Sequence, residues 1–169
     1  MFACPRQACC LCRWIALKLV TDVADGAWTV ARDFAELAVT VPEIEWDGAP
    51  WTYRQHTMPG PPAAVIAEQE LAGPRWRMVN AFARANALDK VEVDTADAWL
   101  GIVAPGKTYD DTLQALSDLG IDAGNAARRG IRLLRIGMPY PLEPEGVREF
   151  ARGLEIVLVV EDKQGFVER

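Results

Sequence analysis

Three apolar runs organise the last third of the chain. Residues 98–104 read AWLGIVA, a continuous run that predicts a strand buried on both faces. Thr108 then stands where a helix N-cap is expected, and Asp110 and Asp111 follow where the helix dipole favours acids. Tyr109, Leu113, Leu116 and Leu119 (or Ala115) give that helix an apolar stripe, and Gly120 ends it. Residues 131–137, IRLLRIG, predict the next strand. Pro144 suits the first turn of a further helix, on which Val147, Phe150, Ala151 and Leu154 repeat at i, i+3, i+4, i+7. Residues 156–160, IVLVV, predict a third buried strand closed by Glu161 and Asp162. Strand, helix, strand, helix, strand is the order of an α/β domain, with a small parallel sheet, right-handed crossovers and flanking helices.

The first half is patterned differently. Trp14, Leu17, Val20 (or Thr21) and Ala24 recur at helical spacing up to Gly26, with Asp22 and Asp25 as polar residues at the helix end, and residues 28–31 suit a short strand. Residues 36–62 hold Pro42, Pro50, Pro59, Pro61 and Pro62, with Trp46, Trp51 and Tyr53 between them. This is a long extended connection, and aromatics of that size are costly to leave wet, so it should lie on a surface. A helix is expected over 74–87, with Trp76, Val79, Ala83 and Asn86 on one face and Phe82 beside it. Asp89, Glu92, Asp94 and Asp97 read as a solvated acidic linker without metal-ligand spacing. These shifts divide the chain into a non-native or unstructured start at 1–12, a helical part with its linker at 13–93, and the sheet domain at 94–169.

Composition narrows the chemistry. The 169 residues are half apolar and carry a net charge of −6, which suits a globular domain and gives no nucleic-acid surface. No apolar run approaches the ~20 residues of a membrane span. Cys4, Cys9, Cys10 and Cys12 are the only cysteines, spaced as neither a zinc site nor a ferredoxin run, so the body holds no disulfide framework. The single histidine, His56, lies in the Pro-rich connection with no identifiable orienting partner and reads as a surface or packing residue.

One motif asks for a second reading. Residues 101–108, GIVAPGKT, satisfy the G-x-x-x-x-G-K-[ST] pattern of a phosphate loop. In that reading Gly101 to Thr108 cradles a nucleotide: the Gly106 backbone and Lys107 meet phosphates, Thr108 holds magnesium, and Glu161, after an apolar strand, holds the metal from the other side. The context argues against it. Ile102, Val103 and Ala104 look like the strand itself, and Pro105 removes a needed N–H donor. The expectation is a buried strand with an internal glycine, then a Pro-Gly turn into a helix whose N-terminus, with Lys107, could still receive an anionic group. Arg128, Arg129, Arg132 and Arg135 are basic and near the second strand, where a solvated or interface role outweighs a diphosphate contact.

The phrases LGIVAPGKTYDDTLQALSDLGID and GIRLLRIGMPYPLEPEGVREFARGLEIVLVVEDKQGFVE resemble the indolepyruvate ferredoxin oxidoreductase family, in the segment it shares with the C-terminal domain of transketolases. WIALKLVTDVADGAWTV and RMVNAFARANALDKV resemble the same family upstream. The resemblance implies oxidative decarboxylation of aryl 2-oxo acids to acyl-CoA with electrons passed to ferredoxin. It implies thiamine diphosphate, magnesium, iron-sulfur clusters and CoA in the full enzyme, and a cytoplasmic setting. It also implies an internal fragment: the tail of a pyrimidine-binding domain, a linker, and part of a three-layer transketolase C-terminal-like domain. The Gly-Asp-Gly motif for magnesium diphosphate and the ferredoxin-type cysteine runs have no counterpart here. No catalytic, cofactor or metal residue therefore carries over, and the chain by itself should be inactive. Its expected partners are the remaining domains or subunits, ferredoxin through the full enzyme, and its own copies by way of exposed sheet edges. A free-standing interaction module is the remaining alternative.

Overall fold

A computed structural model describes residues 38–54 and 60–169, with isolated positions 16, 21, 25–27 and 29 before them. The expected elements over 14–24 and 28–31, the four cysteines and His56 lie outside the described residues, apart from those isolated positions. The chain divides into two compact units, residues 1–86 and 87–169.

Within the first unit, the Pro-rich connection contains a hairpin that hydrophobic pattern alone did not reveal. Strands β1 (Ile44–Trp46) and β2 (Ala49–Trp51) pair antiparallel. Asp47 and Gly48 between them both have positive φ, 52° and 78°, the left-handed turn that suits the twist of a two-residue hairpin. Helices α1 (Ala63–Ala72) and α2 (Pro74–Ala85) follow. The buried face of α2 is Met78, Val79, Phe82 and Ala83. It is therefore rotated from the expected face: Trp76 is only half-buried, and Asn86 lies past the helix end. The Asn86 side chain instead pins the start of the connection, donating to the Thr40 carbonyl (2.7 Å) and accepting the Thr40 N–H (2.8 Å). Trp46 packs on the α1–α2 junction, where a Cβ on Gly73 would come within 2.8 Å of its ring. The aromatic connection thus finds its surface, at least for Trp46, within this chain.

The second unit is a four-stranded sheet of β3 (Lys90–Val93), β4 (Leu100–Pro105), β5 (Ile131–Ile136) and β6 (Ile156–Val159), in the order β3-β5-β4-β6. β5, β4 and β6 are parallel, as expected, and β3 is antiparallel to β5. The acidic stretch at 89–97 is accordingly not a linker. Its Val91 and Val93 join the sheet, Val93 is buried, and the unit begins before residue 94.

Helices α3 (Lys107–Asp118), α4 (Ala123–Arg128) and α5 (Pro144–Ala151) complete three layers. On one face Ile102, Ala104, Ile131 and Leu133 pack with Tyr109 of α3 and Ala126 of α4. On the other, Val103, Leu134 and Ile136 pack with Phe150 of α5. The small helix α4 escaped the periodicity because six residues show too little repeat; Asp122 caps it, accepting the Asn125 N–H at 2.7 Å. The stripe on α3 is corrected to Tyr109, Thr112 and Leu116, since Leu113 and Leu119 are exposed. The third strand is corrected too. β6 is an edge strand, and its Ile156, Val157 and Leu158 are 52, 43 and 48% exposed instead of buried.

Candidate functional site

Parallel α/β sheets bind ligands outside the carboxyl ends of their strands, where the strand order reverses. Here β4, first of the parallel strands in the chain, lies between β5 and β6, so the reversal falls between β4 and β6. The residues singled out by sequence, Gly106, Lys107, Thr108 and Glu161, all gather at this end.

Residues 101–105 are strand, in parallel register with β5 from Gly101↔Arg132 to Pro105↔Ile136. Gly101 is buried, and a Cβ there would run into Leu154 Cδ1 and lie 2.8 Å from Phe150 Cε1. It is a packing glycine on which α5 rests. Gly106 alone forms the turn, with φ 53° and ψ −128°, a conformation open to glycine and hostile to residues with a Cβ. A phosphate loop needs several consecutive N–H groups curled round an anion. The strand leaves no residues for it, which corrects the nucleotide-binding alternative.

Thr108 does not cap α3; the helix begins at Lys107 with Gly106 as its N-cap. The Thr108 hydroxyl lies 2.7 Å from the Pro105 carbonyl and 2.9 Å from the Val160 carbonyl. Its one proton is shared between the ends of β4 and β6, so the crevice at the reversal point is closed by a side chain of the protein. Lys107 pairs with Asp111 one turn on, at 2.6 Å, with both side chains about half exposed. Glu161 accepts the N–H groups of Phe166 (2.9 Å), Val167 (2.7 Å) and Glu168 (3.3 Å). The Lys107, Thr108 and Glu161 side chains that a metal-nucleotide would need therefore already have protein partners.

The end of β5 is closed in a similar way. Asp89 Oδ1 accepts the N–H groups of Gly137 (2.8 Å) and Met138 (3.2 Å). Burial raises the Asp89 pKa above its ordinary value, and the charge of Glu143 adds to the rise against those two hydrogen bonds. Glu143 is itself buried and caps α5, accepting from Glu145 (3.2 Å) and Gly146 (2.6 Å). The sequence marked Asp89 only as a solvated acid. Its role depends on a partner 48 residues away and had no local signal.

The arginines do not form one cluster. Arg132 faces α5 and donates to the carbonyls of Thr95 (3.0 Å), Phe150 (3.3 Å) and Arg152 (3.2 Å), with Asp94 at 2.7 Å. Arg135 faces the other side, its guanidinium 5.3 Å from the Tyr109 ring centre. Among the described residues no group of three or more His, Cys, Asp or Glu side chains converges on a possible metal position. None of their helices is long and apolar enough to cross a membrane. The side chains at the sheet end are spent on backbone groups and on one another, and among the described residues they offer no ligand set for a magnesium ion or an iron-sulfur cluster.

Residues 90–169 match the family model of the indolepyruvate oxidoreductase domain. The chain is 30% identical over 112 residues to the indolepyruvate oxidoreductase subunit IorA of Methanothermobacter marburgensis, covering 66% of this chain and 17% of that protein. It is 39% identical over 72 residues to the subunit of that name in Pyrococcus horikoshii, covering 43% of this chain and 10% of that protein. The chain thus spans between about a tenth and a sixth of the length of these curated relatives. Among solved structures, a 2-oxoglutarate:ferredoxin oxidoreductase from Magnetococcus marinus with 2-oxoglutarate, coenzyme A and succinyl-CoA bound aligns with a TM-score of 0.45 and 17% identity, over 64% of this chain and 18% of that one.

Proposed function

Given that residues 90–169 are an indolepyruvate oxidoreductase domain, we propose that the chain is a structural, interface-forming part of an indolepyruvate or aryl 2-oxo acid:ferredoxin oxidoreductase. The observation that carries this reading is the match over the whole sheet unit, joined to the small share of each relative that the chain spans. The whole enzyme would decarboxylate a 2-oxo acid oxidatively, transfer the acyl group to CoA and pass electrons to ferredoxin in the cytoplasm. Thiamine diphosphate, magnesium and iron-sulfur clusters would be held by other domains or subunits. The first unit and the residues up to the sheet serve as the tail of a pyrimidine-binding-type domain and its connection. The sheet unit supports its neighbours through packing; Thr108 ties the ends of β4 and β6, Gly106 turns the chain into α3, and Glu161 holds the N–H groups of residues 166–168. Apart from its partners the chain should self-associate weakly through its exposed aliphatic side chains.

A chimera tests this reading. Residues 90–169 replace the matching segment of the M. marburgensis subunit, and the reconstituted enzyme is assayed for indolepyruvate-dependent, CoA-dependent dye reduction. Activity within about tenfold of the parent is expected. A soluble, assembled chimera without turnover would contradict the proposal.

A further inference from the structure

The sheet face covered by α3 and α4 carries a pair of cations that the fold does not neutralise. Arg135 of β5 and Lys90 of β3 are direct partners in the antiparallel register, so both side chains leave the sheet on this face. Like charges set opposite each other destabilise a sheet. Arg135 is half-buried, and its guanidinium lies over the buried Tyr109 ring, 5.3 Å from the ring centre. Among the described residues the guanidinium meets no carboxylate and no hydrogen-bond acceptor, and the exposed Lys90 ammonium meets none either. A partly desolvated charge without a partner costs free energy. Arg132, on the opposite face of the same strand, shows how the fold otherwise settles such a group, with carbonyls of Thr95, Phe150 and Arg152 and the Asp94 carboxylate.

The surroundings suit an anion. Arg135 stands level with Ala104, just short of the carboxyl ends of β4 and β5, the side on which α/β sheets take ligands. Next to Lys90, β3 breaks register between Val91 and Val93, and bulges of this kind re-aim side chains beside sites. The Tyr109 ring backs one face of the guanidinium and limits its rotation, so the planar fork presents its N–H groups edge-on. That geometry matches the two oxygens of a carboxylate. The acids around it set the charge of the guest. Burial and the charge of Glu92 raise the Tyr109 pKa, Arg135 lowers it, and Asp110 adds to the rise, so both carboxylates act on this spot. Both are exposed, and neither pairs with Arg135 or Lys90. They repel a phosphate dianion more strongly than a monoanion. We infer that Arg135 and Lys90, with the Tyr109 ring as backing, form a binding site for a single carboxylate group, carried by a small free acid or by an acidic side chain from another part of the enzyme. The inference stands apart from the function proposed above.

Nuclear magnetic resonance on the full, isotope-labelled chain tests this. The Arg135 Nε–H signal is followed during titration with sodium acetate at constant ionic strength, beside sodium chloride and sodium phosphate. Acetate should move the signal along a saturable curve in the millimolar range, chloride should not, and phosphate should bind more weakly than acetate. Arg135→Gln, read at the Lys90 amide, should weaken acetate binding about tenfold or more. Lys90→Gln, at an exposed edge position, keeps the Arg135 signal as reporter and should weaken it about threefold, which serves as the test should the first variant not fold. Glu92→Gln should tighten binding by removing a competing charge. Pyruvate and glutamate blocked at both ends are then compared: tighter binding of pyruvate assigns the site to a free acid, and tighter binding of the blocked glutamate to an acidic side chain. An Arg135 signal that acetate moves no more than chloride does overturns the inference. So does a response that appears only in Glu92→Gln, which would mean that Glu92 occupies the fork, or binding that survives Lys90→Gln and Arg135→Gln unchanged.

Discussion

Replacing Gly101 with alanine adds one methyl group at a crowded point of the parallel sheet. Gly101 sits in the middle strand, and the added Cβ would overlap Leu154 Cδ1 and approach Phe150 Cε1 and Cζ at 2.8 and 3.0 Å. Phe150 is 4% exposed and belongs to the core on the α5 side, so the ring has little room to retreat. Overpacking of this kind costs about 1–3 kcal/mol. The loss of unfolded-chain freedom on replacing glycine offsets about 0.4–1 kcal/mol, because φ at Gly101 is not in the left-handed region. The net expectation is a loss of about 1–2 kcal/mol. In a unit of this size each kcal/mol moves the midpoint by roughly 4–8 °C. Thermal unfolding followed by circular dichroism should thus show a fall of roughly 5–15 °C, and adding Leu154→Ala should recover part of it. A variant as stable as the parent, or more so, would mean that α5 does not rest on Gly101 and would refute the packing role assigned to it.

Asp89→Asn keeps an oxygen for the Gly137 and Met138 N–H groups and removes the charge. Because burial raises the Asp89 pKa, the folded chain holds this proton to higher pH than the unfolded chain does, so stability falls as pH rises from about the ordinary value of 3.8 through the raised one. Urea unfolding across pH 3–7 should show that decline in the parent and a flatter profile in the variant; identical profiles would refute it. Arg132→Lys loses the planar fork that reaches Thr95, Phe150 and Arg152 together, and should cost about 1.5–3 kcal/mol in chemical denaturation. Lys107→Ala removes an exposed helical pair worth about 0.3–0.5 kcal/mol. Titration calorimetry with Mg-ATP should give no binding heat with or without that substitution, and micromolar binding lost in Lys107→Ala would restore the phosphate-loop reading.

Wherever periodicity was long and buried, the fold was legible in the sequence. The parallel strands, the helices opening near Thr108 and Pro144, and the Pro-Gly turn all follow from apolar runs and their punctuation. What escaped was non-local or brief. β3 carries Lys90 and Glu92 among its valines and becomes a strand only because β5 is there to pair with it. The hairpin at 44–51 was signalled by Asp47-Gly48 between two short apolar stretches, a cue masked by the surrounding prolines. The burial of 156–160 was overestimated because an apolar run does not reveal whether a neighbour covers it. The gathering of Gly106, Lys107, Thr108 and Glu161 at one end of the sheet followed from the element order. Their partners did not, because the Val160 carbonyl that meets Thr108 is 52 residues away.

The central claim is that this chain contributes structure to an enzyme whose chemistry is held elsewhere. The most direct measurement is trans-complementation. The purified chain, the M. marburgensis subunit lacking its matching segment, and that enzyme's remaining subunits are assayed separately and together for indolepyruvate-dependent dye reduction in the presence of CoA and thiamine diphosphate. The account predicts no turnover by the chain or by the deleted enzyme, and turnover at least tenfold above background when they are combined. Turnover by the chain alone, or a folded and bound mixture that stays at background, would contradict it.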